Sequence, residues 1–321
     1  MTIRTEEMLT QFLVPLDVEK KYDQVVWLMR CIAVTLGQRV EKITLLYVSG
    51  GRYLSQHMTN IDSRAGDLIS SEKFRELRQI HIDQHVMPIL EEVRKTLVSA
   101  GIDTEIDILV QDGDPVEQIV KTVNTGPYSS LILQRSDKST VEAMFIGSVA
   151  SGILHREVQA SIYLPPANGV ERQPCPPANC LVALDDSDNS FAALERAKIL
   201  ISASGNSFRK IILANVVDLA AFSEALAAGI EAESLRTDVL DRAAAQLREA
   251  GVPEEKIVCQ TGYGEPAEEL VNMVQEHDID VVFMGRRDRG ALQDVFMGSV
   301  SNKIIQQCTR QTIVLVNAKS A

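Results

Sequence analysis

Residues 281–316, VVFMGRRDRGALQDVFMGSVSNKIIQQCTRQTIVLV, carry the clearest signal of this chain's fold. The first four residues of this stretch, Val281 to Met284, form an unbroken apolar run, the pattern of a strand buried on both faces in a parallel sheet. Gly285 ends this strand, and Gly298 with Ser299 opens a segment whose apolar residues have helical spacing. The stretch therefore predicts a strand, a loop, a helix and a second strand in succession.

The junction between this loop and its helix predicts an anion site. Ser299 is a good N-cap residue, and the unpaired N–H groups at a helix start attract anions. A glycine-containing loop that ends on such a helix can cradle a phosphate. The alternative is an ordinary strand-to-helix turn.

An earlier stretch, residues 131–164, echoes the first one as LILQRSDKSTVEAMFIGSVASGILHREVQASIYL. Gln134 and Gly147 have the same spacing as Gly285 and Gly298 (147 − 134 = 298 − 285 = 13). This weak repeat is typical of a tandem duplication.

Two more pairs of segments support the duplication. The strand LVPLD ending at Asp17 matches LVALD ending at Asp185 (185 − 17 = 168), and the GDP turn at Pro115 matches GEP at Pro266 (266 − 115 = 151). The offset between the two copies falls by 17 residues, from 168 to 151. The first copy therefore has extra residues before its GDP turn, in the irregular segment 49–101. The repeated βα order favours parallel pairing.

Composition excludes several classes of function. The net charge of −12 argues against a general nucleic-acid binder, because duplex affinity depends on Lys and Arg neutralising phosphates. The chain has no apolar run of membrane-spanning length, and residues 1–11 lack a signal-peptide pattern. We therefore expect a cytoplasmic protein without membrane contact.

Five scattered cysteines indicate a reduced compartment. Cys175 and Cys180 form the only close pair, and no second pair or nearby His completes a zinc site, so both are predicted to be free thiols in a linker. Five prolines between positions 165 and 177 make a stiff spacer. The predicted domains are residues 1–166 and 180–321, joined by a linker over 167–179.

Taken together, these features resemble a tandem universal stress protein, with two copies of that family's domain covering nearly the whole chain. The motifs that carry the resemblance are the LVPLD and LVALD strands, the GDP and GEP turns, VVFMG, and GSVSNKII before a final TIVLV strand. The resemblance implies two tandem five-stranded parallel-sheet α/β sandwiches, similar to adenine nucleotide α-hydrolases, with strand order 3-2-1-4-5. It also places ligands at the carboxyl ends of strands where that order reverses.

Members of this family that hold ATP are similar in a G-x2-G-x9-G-[ST] loop. The second copy supplies Gly285, Gly298 and Ser299, but Asp288 occupies the position of the second glycine. A carboxylate there repels a triphosphate, which neighbouring arginines such as Arg287 could offset. The first copy has Gln134 and Asp137 in its loop and keeps only the closing Gly147-Ser148 pair.

The resemblance also implies adenine and ribose contacts. Asp185 and Val216 hold those places in the second copy, with Ala183 replacing a proline, and the first copy has Pro15, Asp17 and Val48. A strand-end Asp can accept from a ribose hydroxyl; the alternative is a turn or helix-capping acid. The cofactor-binding residues predicted for the second domain are Ala183, Asp185, Val216, Gly285, Arg287, Asp288, Gly298 and Ser299.

Catalysis receives little support, because no Walker A lysine, nucleophile elbow or complete metal set appears. Asp185, Asp186 and Asp188 could hold Mg²⁺ with a nucleotide's phosphates, but as caps on the following helix they would suit its positive end. The favoured function is a stress-response regulatory protein that binds an adenine nucleotide, ATP above all, with at most slow hydrolysis. Mg²⁺ would enter only with the nucleotide.

Two alternatives remain. Both loops could be degenerate, so that the protein acts through another protein or a different small ligand, or the chain could be an enzyme of the α-hydrolase type. A family-like assembly would place residues 161–164 and 312–316 side by side, as an internal pseudo-dimer. The sequence leaves further homodimerisation and the identity of a protein partner open.

Overall fold

A computed structural model describes residues 10–18, 22–50, 72–135, 146–167, 174–218, 223, 227, 238–286 and 298–318. Ten strands are present in this part of the chain. Their bounds are β1 (Gln11–Pro15), β2 (Lys42–Ser49), β3 (Glu105–Asp112), β4 (Ser130–Ile132), β5 (Ser161–Leu164), β6 (Asn179–Ala183), β7 (Lys210–Asp218), β8 (Ile257–Gly264), β9 (Val281–Gly285) and β10 (Thr312–Val316).

The helices of the same part of the chain lie between these strands. Their bounds are α1 (Asp23–Leu36), α2 (Glu72–His81), α3 (Met87–Ser99), α4 (Pro115–Thr125), α5 (Ser148–Leu154), α6 (Asp188–Ala203), α7 (Val239–Glu249), α8 (Pro266–Glu276) and α9 (Ser299–Gln307). Short 3₁₀ turns occur at Gly37–Arg39 and Glu254–Lys256.

The strands form one sheet with the order β3-β2-β1-β4-β5-β10-β9-β6-β7-β8. The first half, β1–β5, has the predicted order 3-2-1-4-5, and the second half, β6–β10, has the same order. Pairing is parallel within each half. The βα alternation produces this arrangement, because parallel neighbours need a crossover connection.

The two halves join through their fifth strands. β5 and β10 pair antiparallel, with Ile313 opposite Leu164 and Val314 opposite Tyr163. This confirms the predicted side-by-side placement of residues 161–164 and 312–316. The two predicted sandwiches therefore share one continuous sheet, and no edge strand is left exposed at the junction.

Helices cover both faces of the sheet. One apolar layer packs α1, α3, α6 and α7 on one face, and a second packs α4, α5, α8 and α9 on the other. Neighbouring residues of a strand point to opposite faces. In β1, for example, Phe12 belongs to the first layer and Leu13 to the second, and both are fully buried.

The first half contains the extra residues that the sequence placed in segment 49–101. Within this segment, residues 72–99 are helical: α2 and α3 are joined by a π-helical segment, Ile82–Val86. Pro88 follows this segment directly. Proline has no N–H and its ring clashes with the carbonyl four residues earlier, which a wider π turn relieves. Residues 51–71 lie outside the described part.

Two buried arginines reach across the junction in a reciprocal way. Arg135, after β4, donates to the carbonyl oxygen of Cys308 at 2.9 Å, just beyond α9. Arg286, after β9, donates to the carbonyl of Leu154 at 2.9 Å and to that of Arg156, at the end of α5. The two arginines are equivalent in the repeat (286 − 135 = 151).

Each arginine therefore caps the last helix of the other half. The final carbonyls of a helix have no partner within the helix, and a cation there interacts favourably with the helix dipole. Burial lowers the pKa of Arg135 to about 10, so its guanidinium is still charged near neutral pH. These contacts couple the two halves through charged hydrogen bonds as well as through the sheet.

The structure corrects the prediction that Cys175 is a free thiol. Cys175 forms a disulfide with Cys31 of α1, and the two Cα atoms are 5.2 Å apart. The bond attaches the end of the proline-rich segment to the first half of the chain. The partners are separated by 144 residues in sequence, so no local spacing could reveal the pair. Cys180 is free and buried.

The described helices include none that combines enough length and apolar character to cross a membrane.

Candidate nucleotide site

The carboxyl end of β6 lies at the point where the strand order of the second half reverses. Ala183 pairs with Met284 of β9 on one side and with Ala214 of β7 on the other. The chain leaves β6 and β9 toward helices on opposite faces of the sheet, α6 and α9. Such a reversal opens a crevice at the carboxyl ends of the strands.

Asp185 follows β6 at this crevice and is exposed. Its Oδ1 accepts hydrogen bonds from the main-chain N–H of Ser187 at 3.2 Å and from the Ser187 hydroxyl at 2.5 Å. Ser187 in turn is the N-cap of α6, with its Oγ accepting from the N–H of Ser190. The structure thus shows Asp185 in the turn role that the sequence left open as the alternative to a ribose contact.

The neighbouring acids also have structural roles. Asp186 has a positive φ of 63° and forms an ion pair with Arg242 of α7. Asp188 lies in the first turn of α6. Within the described residues, no group of three His, Cys, Asp or Glu side chains could hold a metal ion. Asp185 and Asp186 are thus engaged in a turn and an ion pair, and Ser187 rather than one of these acids is the N-cap of α6.

Gly285 ends β9 directly beneath the start of α6. A Cβ atom on Gly285 would lie 2.7 Å from the carbonyl carbon of Asn189 and 2.7 Å from the nitrogen of Ser190. Backbone atoms cannot yield at that distance, so glycine is required here for helix packing. Asn189 also accepts from the N–H of Ala318 at 2.6 Å, which fixes the end of β10 at the same edge.

Val216 lies near the carboxyl end of β7 and pairs with Gly262 of β8. One residue before it, Asn215 is buried and donates its side-chain amide to the carbonyl of Leu184 at 2.7 Å. This bond holds the turn after β6 against β7. Sequence reasoning missed Asn215, although a polar residue inside an apolar strand pattern is a signal for such a contact.

The start of α9 differs by one residue from the prediction. Gly298 is the N-cap, with φ −55° and ψ 147°, and Ser299 is the first helical residue rather than the cap. Gly298 has no side chain, so the first N–H groups of the helix receive no side-chain cap. Lys303 holds α9 against α8 through ion pairs with Glu265 at 3.1 Å and Glu268 at 2.8 Å.

The topology brings most of the predicted residues to one edge. Ala183, Asp185, Val216 and Gly285 lie at carboxyl ends of neighbouring strands. A helix that connects two parallel strands begins at their carboxyl ends, which places Gly298 and Ser299 at the same edge. Arg287 and Asp288 are outside the described residues.

The corresponding edge of the first half has a similar framework. Gly147 is the N-cap of α5, with a positive φ of 102°, and Ser148 begins the helix. Pro15 ends β1 and Val48 lies in β2, while Asp137 is outside the described residues.

A protein-family model matches part of the chain, and one curated protein is similar to it. The universal stress protein family model matches residues 178–315. Universal stress protein YxiE of Bacillus subtilis (strain 168) is 26% identical over 148 residues, which cover 42% of this chain and 96% of that protein.

Solved structures match the whole chain in fold. A universal stress protein from Archaeoglobus fulgidus DSM 4304 has a TM-score of 0.66 at 19% identity, over 98% of this chain and 100% of that one. A functionally unknown protein from Pseudomonas aeruginosa PAO1 has a TM-score of 0.58 at 12% identity, over 98% and 95% of the two chains. Residues 178–315 therefore match the universal stress protein family, and the complete chain is similar in fold to a universal stress protein.

Proposed function

We propose that this protein is a stress-response regulatory protein that binds an adenine nucleotide, ATP above all, in its second half. The observation that carries the proposal is the start of α9 at the reversal of strand order. There a helix begins without a side-chain cap, and main-chain N–H groups at a helix start favour an anion. The family match over residues 178–315 covers this crevice.

Each part of the site suits one part of a nucleotide. The N–H groups that follow Gly298 would donate to phosphate oxygens. The Asp185 carboxylate would accept from a ribose hydroxyl, and main-chain groups near Val216 would bind the adenine edge. The positive end of the α9 dipole adds a favourable field for the phosphates.

Binding without turnover fits the same residues. The acids nearest the crevice among the described residues, Asp185 and Asp186, already hold a turn and an ion pair, so neither is arranged as a general base. In the second half, Arg287 is proposed to offset the charge of Asp288 beside the phosphates. Mg²⁺, where present, would be held by the phosphates themselves.

Titration of ATP, ADP and AMP with Mg²⁺ by calorimetry tests the proposal. We expect ATP to bind the wild-type protein and Gly298→Val to weaken binding at least about tenfold, because branched carbons there would block two or more phosphate hydrogen bonds. An added Cβ at Gly298 meets no atom within 4 Å, so the fold should tolerate this substitution. Weaker binding in Gly298→Val would therefore reflect lost contacts with the ligand rather than a change in the fold.

A matched pair of serine variants locates the site. Ser299 and Ser148 are both exposed first residues of a helix at equivalent repeat positions (299 − 148 = 151). Ser299→Ala should weaken ATP binding, and Ser148→Ala should not. Equal effects of the two variants would contradict a site in the second half. No heat with the wild-type protein would favour a function through protein or other ligand contacts.

A further inference from the structure

The Cys31–Cys175 disulfide joins the two halves of the chain, away from the nucleotide crevice. Cys31 belongs to α1 of the first half and is 2% exposed. Cys175 lies just before β6, the first strand of the second half, and is half-buried. The bond is therefore a covalent cross-link between the halves, in addition to the β5–β10 pair. Cys175 is the more accessible of its two residues.

The segment that carries Cys175 is held firmly on one side only. After this segment, Ala178 and Asn179 donate their N–H groups to the Asp280 carboxylate at 2.8 and 2.9 Å, and the carbonyl of Ala178 accepts from the N–H of Arg209 at 2.7 Å. Within the described part of the chain, the main-chain groups of residues 174–177 make no main-chain hydrogen bond. Opening the disulfide would therefore release residues 174–177 from α1 and leave β6 in place.

A small apolar cavity adjoins the disulfide. Its volume is about 40 Å³, and its walls include Cys31 and Thr35 of α1, Pro177 before β6, Leu200 of α6 and Val314 of β10. Free cysteine behaves as a small apolar side chain, so a released Cys31 thiol would have room to turn into this space. The fold can thus hold Cys31 in the reduced form as well as in the oxidised form.

The core of the protein is complete without the disulfide. Stabilising disulfides are typical of small domains that cannot build a sufficient apolar core. Here each half contributes five strands to the sheet, and helices pack apolar layers on both faces. The chain also has three free cysteines, Cys180, Cys259 and Cys308. One disulfide in such a chain fits a reversible bond better than a permanent staple.

We propose that Cys31 and Cys175 form a reversible redox site that sets how tightly the two halves are coupled. In the oxidised form the cross-link ties α1 of the first half to the entry of β6 in the second. In the reduced form the halves remain joined by the β5–β10 pair and by the arginine caps, and residues 174–177 are free to leave α1. This site is independent of the proposed nucleotide site.

A dithiol reductant opens the bond in two exchange steps. A thiolate of the reductant attacks the more accessible Cys175 sulfur, the S–S bond breaks, and the Cys31 sulfur leaves as a thiolate that takes up a proton. The second thiol of the reductant then attacks the mixed disulfide, and its proton passes to the departing Cys175 sulfur. The reductant ends as a disulfide and the protein as two thiols. A disulfide oxidant such as oxidised glutathione reverses the exchange.

Reduction of the folded full-length protein with dithiothreitol tests this proposal. It should generate two new thiols, which alkylation and mass spectrometry assign to Cys31 and Cys175, and oxidised glutathione should restore the bond. We expect reduction to lower the melting temperature by about 5 °C or more, because a cross-link between residues 144 positions apart restricts the unfolded chain. A bond that opens only in denaturant, or that oxidised glutathione does not restore, would overturn the proposal.

Two serine variants connect the effect of the reductant to this disulfide. Cys175→Ser should melt at the temperature of the reduced wild-type protein, and dithiothreitol should not lower that temperature further. Cys259→Ser is the matched control, because Cys259 is a half-buried free thiol of the second half. It should respond to dithiothreitol as the wild-type protein does. A wild-type response in Cys175→Ser, or an unchanged melting temperature in the reduced wild-type protein, would contradict the proposed coupling.

Discussion

Ile313→Asp is expected to destabilise the protein by more than about 4 kcal/mol, because it buries a carboxylate without a counter-charge. Ile313 is completely buried and pairs with Leu164 at the centre of the ten-stranded sheet. Its side chain belongs to the apolar layer shared with α9. The substitution should therefore also separate the melting of the two halves.

Calorimetric melting measures both effects. The wild-type protein should unfold with coupled halves, and Ile313→Asp should show a lower and broader transition or two separate ones. Val34→Asp is a matched control, because Val34 is 56% exposed on α1. It should change the stability by less than about 1 kcal/mol. Unchanged coupling in Ile313→Asp would contradict the role of the β5–β10 pair.

Arg135→Met is expected to lower the free energy of unfolding by about 2–3 kcal/mol. Methionine keeps much of the buried volume but removes the charged donor to the carbonyl of Cys308, and to those of Ile305 and Gln311 at 3.5 Å each. The carbonyls at the end of α9 would then be buried without that partner. Urea unfolding measures the loss.

Arg310→Met is the control for this variant. Arg310 lies next to the same helix end but is exposed, so its loss should cost less than about 0.5 kcal/mol. Arg286→Met should resemble Arg135→Met, because Arg286 caps α5 in the equivalent way. Arg135→Met with wild-type stability would show that the reciprocal caps do not hold the two halves together.

The sheet could be predicted from the sequence because short, repeated sequence patterns specify its strands and their order. Apolar runs such as Val281 to Met284 mark strands buried on both faces, and the offsets of 168 and 151 residues reveal the repeated order. The repeated GDP and GEP turns begin helices: Asp114 and Glu265 are the N-caps, each followed by a proline at the first helical position.

Contacts across the junction could not be predicted in the same way. The Cys31–Cys175 disulfide and the Arg135 cap join residues 144 and 173 positions apart, and no periodic pattern records such pairs. A buried arginine also looks like a surface residue in the sequence. In the sequence, Arg135 and Arg286 can be recognised only as equivalent positions of the repeat, after β4 and after β9.

The candidate site was predicted in outline more than in detail. The carboxyl edge of the sheet and the start of α9 follow from the βα pattern. The details depend on local contacts. Ser187 rather than Asp185 caps α6, and Gly298 rather than Ser299 caps α9. The close approach of α6 requires glycine at position 285. Propensity alone cannot choose between adjacent capping residues.

The most direct test of a nucleotide site in the second half is to denature the purified protein in acid and quantify any released nucleotide. The wild-type protein should release ATP or ADP at about one molecule per chain, and Gly298→Val should release much less, since it blocks the phosphate position. Equal amounts of nucleotide from both proteins, or none from the wild-type protein together with no ATP binding at millimolar concentration, would contradict the proposed site.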